Sequence, residues 1–292
     1  MSFLHTLFDD PPPLHAFELS AGGIAFAARP NRRGQQIQLD FRPLPEGVIE
    51  VSPVKDNVSQ PQQFAALVAS LVEPNGHKKP KPAALILPDY CARVSVLEFE
   101  TLPAKREEQL ALVRFRLKKT VPFDIDSAAV NFHAYRTTVV AVAASYEIVA
   151  RYELPFRQAG YDPGFATTSV LAAMDPAPPS GLSVLVKLTS RVLTVAVCDG
   201  RVPKLVRCME LTDVTMDEIL AVLFPTLAYA EDEMHRKPAR LLQCGFGEEA
   251  PRFRDRCETE LGLTVEPLRS QWGPAGDNNA GLLGWLQAQE ER

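Results

Sequence analysis

Several groups of side chains in this sequence are of types that do chemistry. Asp124 and Asp126 stand two apart, just beyond Val121-Pro122-Phe123. Paired carboxylates can relay protons, but this close behind a proline they cap or solvate a turn. The five cysteines (91, 198, 208, 244 and 257) are odd in number and include no CxxC pair. Cys91, Cys198 and Cys208 lie in apolar, strand-like stretches, which marks them as reduced core thiols. Neither Ser145 nor Cys91 sits in a GxSxG-type setting, so a nucleophilic hydrolase is not indicated. The five histidines are scattered, without the close ligand spacing of structural zinc. Arg114, Arg116, Lys118 and Lys119 follow Glu107-Glu108 on one helical stretch. Acids early and bases late complement the helix dipole; the same basic end could face anionic lipid heads or an acidic partner. His77-Lys78-Lys79-Pro80-Lys81 is a solvated loop, and Trp285 with Leu282 and Leu283 docks a terminal helix.

Composition narrows the function classes. The 292 residues are 46% hydrophobic and 23% charged, which suits a soluble globular chain with a sizeable core and excludes a disordered polyelectrolyte. Lys plus Arg number 31 against 36 Asp plus Glu, a formal charge of −5 that rules out a dedicated nucleic-acid binder. No apolar run approaches the roughly 20 residues that span a bilayer. Met1–Pro13 lacks the basic start and apolar core of a signal peptide, so the expected compartment is the cytoplasm.

The elements that must position any site come in a repeating order. Alternating apolar residues predict strands over Leu14–Leu19, Gly23–Arg29 and Gln35–Phe41, with a short addition at Val48–Val51. Pro61 opens a helix with Phe64, Leu67, Val68, Leu71 and Val72 on one face. After the Pro/Lys-rich loop Pro74–Pro82, Ala83–Leu87 reads as a buried parallel strand. A different texture follows: strand Arg93–Phe99, charged helix Ala104–Lys119 with Leu110, Val113 and Leu117 inward, then strands Val130–Tyr135 and Thr137–Ala144. Helix Glu147–Ala159 is stopped by Gly160, and Tyr161–Thr168 completes the half. Pro176–Gly181 is the clearest linker. Beyond it come strands Leu182–Leu188, Val192–Cys198 and Arg201–Cys208, the last two joined by the hairpin pair Asp199-Gly200. Helix Asp217–Met234 contains Pro225, a kink position. Ala239–Cys244 is a short buried strand, Gly245-Phe246-Gly247 a turn, and Glu249–Leu261 a helix. Strand Thr264–Leu268 and helix Leu282–Gln287 end the chain.

Three antiparallel strands, a helix, a buried strand and a further helix therefore occur twice. The fold class expected is α/β, an actin-like (ribonuclease H-like) pair of βββαβα lobes facing each other across a cleft. The first lobe covers residues 1–176 with a small α+β insertion at about 88–135. A reduced second lobe covers 177–292.

From Ala83 to about Met174 the chain resembles the PilM family of type IV pilus assembly proteins, members of the actin-like superfamily. The resemblance rests on features in order: Leu87-Pro88 after a buried strand, the Leu102-Pro103 step, and a helix ending at Val121-Pro122-Phe123. Asn131-Phe132-His133-Ala134-Tyr135, the run Val139–Ala144, Arg151-Tyr152 and Gln158-Ala159-Gly160-Tyr161 continue it. The resemblance directs attention to the superfamily's nucleotide cleft, where this chain departs. In place of the family's Asp-Ile-Gly-Ser phosphate turn stands Phe17–Gly23. There Glu18 would replace the metal-organising Asp, and Ser20 with Gly22 would form the loop. At the second phosphate turn Lys187 replaces the acid, with Thr189 following. A cation there can contact phosphate but cannot hold Mg²⁺ or a catalytic water as a carboxylate does. At the adenosine motif Gly245 and Gly247 flank Phe246, which would crowd a purine unless it stacked on it. Between Met209 and Lys237 a single connection replaces several helices of relatives.

The expectation is thus a non-catalytic, actin-like scaffold with no catalytic or metal residue and no cofactor. The resemblance implies a cytoplasmic location, peripheral at the inner membrane through a partner. That partner is the N-terminal cytoplasmic tail of a PilN-like membrane protein, held in a first-lobe groove that should involve the first-lobe sheet and the inserted subdomain from about Pro88 to Tyr135. A pilus or secretion motor ATPase is a further partner, and membrane contact is only indirect. Two alternatives are an ATP/Mg²⁺-using ATPase or kinase of the same superfamily, and the cytoplasmic adaptor of a type II secretion system.

Overall fold

The computed structural model describes residues 13–29, 37–71, 79–176 and 180–290. The His77–Lys81 loop lies partly outside them, as do Val72, the start of the third expected strand, and the Pro176–Gly181 linker. Two five-stranded mixed sheets dominate. The first contains β1 (His15–Ser20), β2 (Gly23–Ala28), β3 (Gln38–Pro43), β4 (Lys81–Leu87) and β8 (Tyr161–Thr168). Between them come α1 (Pro61–Ser70) and an inserted three-stranded unit of β5 (Arg93–Glu98), α2 (Arg106–Leu117), β6 (Ala128–Tyr135) and β7 (Thr138–Ser145). Helix α3 (Tyr146–Gln158) precedes β8, and α4 (Ser169–Ala173) follows it. The second sheet contains β9 (Leu182–Thr189), β10 (Val192–Asp199), β11 (Val202–Glu210), β12 (Arg240–Cys244) and β13 (Val265–Pro267). It is accompanied by α5 (Met216–Met234), α6 (Ala250–Leu261) and, last in the chain, α7 (Ala280–Glu290).

The two sheets share one topology. Their orders are β3-β2-β1-β4-β8 and β11-β10-β9-β12-β13, and in each the first strand pairs antiparallel with the second and parallel with the fourth. The insertion is a separate sheet, β5-β7-β6. Sequence explains the placement. Ala83–Leu87 is apolar at every position and is buried along its whole length, as a central parallel strand must be. Tyr161–Thr168 alternates inward and outward over its first seven residues and forms an edge. Gly200 takes a left-handed φ of 59° in the Asp199-Gly200 hairpin, a conformation open to glycine at no steric cost.

Several expectations need correcting. Val48–Val51 is not a strand; Ile49 makes a single antiparallel bridge to Val58. The third strand extends to Pro43 rather than ending at Phe41. Helix α4 was not expected, because its five residues are too few for a helical period to register. Helix α5 carries Pro225 in its interior, within one continuous helix, and starts at Met216 rather than Asp217. One apolar core joins the inner faces of both sheets: Ala84 and Ile86 from the first, Leu185, Ala196 and Leu242 from the second, and α4 with Trp285 and Leu286 of α7 between them. Trp285 is buried with its ring 5.1 Å from that of Phe165, so the terminal helix docks as expected.

Candidate functional site

Strands β1 and β9 are the central strands of their sheets, and they end toward each other. They carry Glu18 and Lys187 into the interior, 2% and 4% exposed. Lys187 Nζ lies 3.1 Å from Asp89 Oδ2 and 2.8 Å from Thr189 Oγ1. Asp89 belongs to the short turn after β4, so this ion pair crosses from one sheet unit to the other. Its carboxylate also accepts the Val170 amide at 2.6 Å and the Thr194 hydroxyl at 3.2 Å. Glu18 accepts the Ser169 hydroxyl and, at 2.7 Å, the Leu282 amide of α7. Each buried carboxylate therefore meets the amide end of a helix, where partial positive charge offsets its desolvation.

Electrostatics follow from this arrangement. Burial alone would lower the Lys187 pKa, but Asp89 and Glu18 outweigh it and hold the ammonium above its ordinary value. Burial raises the Glu18 carboxyl, opposed by Lys187, Ser169 and the amides of Leu282 and Gly281. The thiols beside this network are inert: burial pushes Cys208 and Cys244 up to about 12. All five cysteines are free. Asp124 accepts the Asp126 amide at 3.1 Å and serves as a turn cap.

The remaining cleft positions meet a segment of the chain itself. Ser20 Oγ donates to Asn278 Oδ1 at 2.7 Å and accepts the Gly23 amide. A Cβ on Gly22 would stand 3.0 Å from that same Asn278 oxygen, and one on Gly247 would stand 3.7 Å from Asp277 Oδ2. Gly245 has a φ of +80°, and a Cβ there would fall 1.8 Å from the Leu188 carbonyl. Its glycine thus serves the close approach of β9. Phe246 is buried, and its ring stacks on that of Phe253 with centroids 4.0 Å apart. The structure therefore brings Glu18, Lys187 and Thr189 into one network with Asp89. Ser20, Gly22 and Gly247 are gathered under Asp277-Asn278. At the position that the resemblance assigns to the second phosphate turn stands an ammonium, Lys187, already paired with Asp89.

Sequence reasoning missed Asp89, Ser169 and Asn278. A charged residue directly after an apolar strand, as in Leu87-Pro88-Asp89, is a usable signal for the first. The other two carry none, because their partners lie 151 and 258 residues away in the chain.

A second feature lies in the first half. A groove of about 550 Å³ is lined by Ala129–Phe132 of β6, by Tyr146, Val149, Ala150 and Glu153 of α3, and by Ala166–Thr168 of β8. Both β6 and β8 are outermost in their sheets, so two strand edges border one apolar trough. Arg106 lies at its rim, bonded to Asn131 at 3.1 Å and set over the Phe132 ring. Among the described residues no helix is long and apolar enough to cross a membrane, and no cluster of three or more His, Cys, Asp or Glu could hold a metal.

Duplicated sheets of this order, closed over a shared core with an α+β insertion in the first, define the actin-like fold. Comparison with solved structures bears this out. The chain is similar to a structure described as a PilM–PilN type IV pilus biogenesis complex, with a TM-score of 0.71 at 18% identity, over 97% of this chain and 100% of that one. It is also similar to a Bacteroides thetaiotaomicron protein with an actin-like ATPase fold, with a TM-score of 0.60 at 9% identity, over 95% and 96%. No protein-family model and no curated protein matches the sequence. The PilM resemblance read from residues 83–174 thus extends, at the level of fold, along nearly the whole chain.

Proposed function

We propose that this protein is a non-catalytic, actin-like assembly component of a type IV pilus or related envelope machine. Its first-lobe groove would hold an extended segment from the cytoplasmic tail of a PilN-like inner-membrane protein. The observation that carries the reading is the groove itself: an apolar trough between two open strand edges, on a fold whose similar structure is a PilM–PilN complex. An extended peptide there gains backbone hydrogen bonds from an edge and side-chain burial from the α3 floor. The location that follows is the cytoplasmic face of the inner membrane, reached through that partner.

The interlobe cleft supports the non-catalytic part. A buried ion pair, two helix-capping carboxylates and the Asp277-Asn278 segment already engage the side chains that the resemblance assigns to the phosphate turns. The direct test is fluorescence anisotropy with a labelled N-terminal tail peptide from a PilN-like protein. Ala150, exposed on the groove floor, is replaced by Arg. Saturable binding that falls at least tenfold in A150R, with an unchanged melting temperature, supports the reading. Equal binding by both proteins, or none, rejects it.

A further inference from the structure

Helix α2 presents a surface that neither the groove nor the cleft uses. Phe115 is 66% exposed, more than any other large apolar residue among those described. On its face of the helix lie Ala111 one turn before and Lys118 and Lys119 one turn after, all exposed. Arg116 flanks them, with its guanidinium over the Phe99 ring at 5.3 Å. Arg114 is not available, since it is bound to the Ile125 and Ala128 carbonyls. The acids nearby are few and placed apart. Asp126 reaches Lys118 only at 3.9 Å, and Glu108 sits two turns toward the other end, paired with Lys105 at 3.7 Å. The helix therefore has a basic, aromatic-tipped end and an acidic end.

We propose that this end of α2, with Phe115 as its wedge and Arg116, Lys118 and Lys119 around it, docks directly on an anionic lipid surface. Two features favour a bilayer over an acidic protein. The patch sets a strongly exposed aromatic ring beside three exposed cationic side chains at one helix end, a pairing that suits headgroups lying over acyl chains. Its long cationic side chains can spread over headgroups while Phe115 enters the boundary with the acyl chains. The chain's net charge of −5 works against non-specific contact with such a surface, so a basic helix end that does bind also favours one orientation. This adds a direct contact to the indirect one expected from the sequence, and it stands whether or not the groove takes a peptide.

The test is flotation of the full chain with vesicles of phosphatidylcholine alone or with one-third phosphatidylglycerol. Each lysine near such a surface contributes about fivefold to partitioning. Wild-type protein should float with the anionic vesicles only, and release as salt rises to 0.5 M. The pair Lys118→Glu and Lys119→Glu should reduce the bound fraction more than tenfold, and Phe115→Ser severalfold. All three positions are exposed, so melting temperatures should hold. Equal partitioning to both vesicle types, or variants that bind like wild type, would overturn the proposal. So would binding to immobilised polyglutamate without binding to vesicles, which would assign the patch to an acidic protein.

Discussion

Lys187 is a charge held in the interior, 4% exposed. Its ammonium is withdrawn from water and balanced by Asp89 and, less directly, Glu18. Removing it leaves two buried carboxylates without a counter-charge. Lys187→Met should therefore cost about 3–5 kcal/mol in stability, measured by urea denaturation. Adding Asp89→Leu should restore a substantial part, because a buried pair replaced by apolar groups is often neutral. The pH dependence has a definite sign. Lys187 is raised in the folded state, so its contribution is complete below the unfolded-chain value of 10.5 and is lost as pH climbs through the folded value. The difference in melting temperature between wild type and Lys187→Met should narrow above pH 10.5. Glu18 is also raised, so its protonation on acidification favours the folded state rather than opening the cleft.

At the scale of elements, the crossing of α4 and α7 depends on absent side chains. A Cβ on Gly284 would sit 2.0 Å from the Ala172 carbonyl, and one on Gly281 would sit 2.8 Å from Ile86. The two helices approach at backbone distance, and this also delivers the Leu282 amide to Glu18. Gly284→Ala must push backbone against backbone and should cost about 1–3 kcal/mol. Gly164→Ala, where an added Cβ meets nothing within 4 Å, is the matched control and should leave stability within about 0.5 kcal/mol. Chemical denaturation of both variants settles the comparison.

Across the whole molecule, the shared core makes the two sheet units one thermodynamic body. Ile86, Leu185, Leu242 and Trp285 lie in one apolar cluster that crosses the cleft floor. Calorimetry should show a single transition with matching calorimetric and van't Hoff enthalpies, not two independent lobes. The same closure predicts a flat thermal-shift response to millimolar ATP or ADP with Mg²⁺. A ligand bound only to the folded state at about 100 times its Kd would add roughly 2.7 kcal/mol. A clear magnesium-dependent rise would return the protein to the nucleotide-using class.

Much of this was legible along the chain. Local periodicity and turn residues are short-range signals. They placed the alternation in β8, the hairpin at Asp199-Gly200, the stop at Gly160 and the duplicated element order. Substitutions at known turns were equally visible: Lys187 for an acid and Phe246 between glycines already argued against a nucleotide. What Lys187 does instead was not visible, since its partner Asp89 is 98 positions away and joins it only when two sheets pack face to face. The groove is of the same kind: β6 and β8 are recognisable as strands, but only the tertiary arrangement leaves both outermost and sets them on either side of α3. Side-chain type and spacing determined the elements and which residues stand at the cleft's turns. Packing between distant segments decided what those residues pair with and where the groove lies, because burial and charge pairing depend on distance in space and not along the chain.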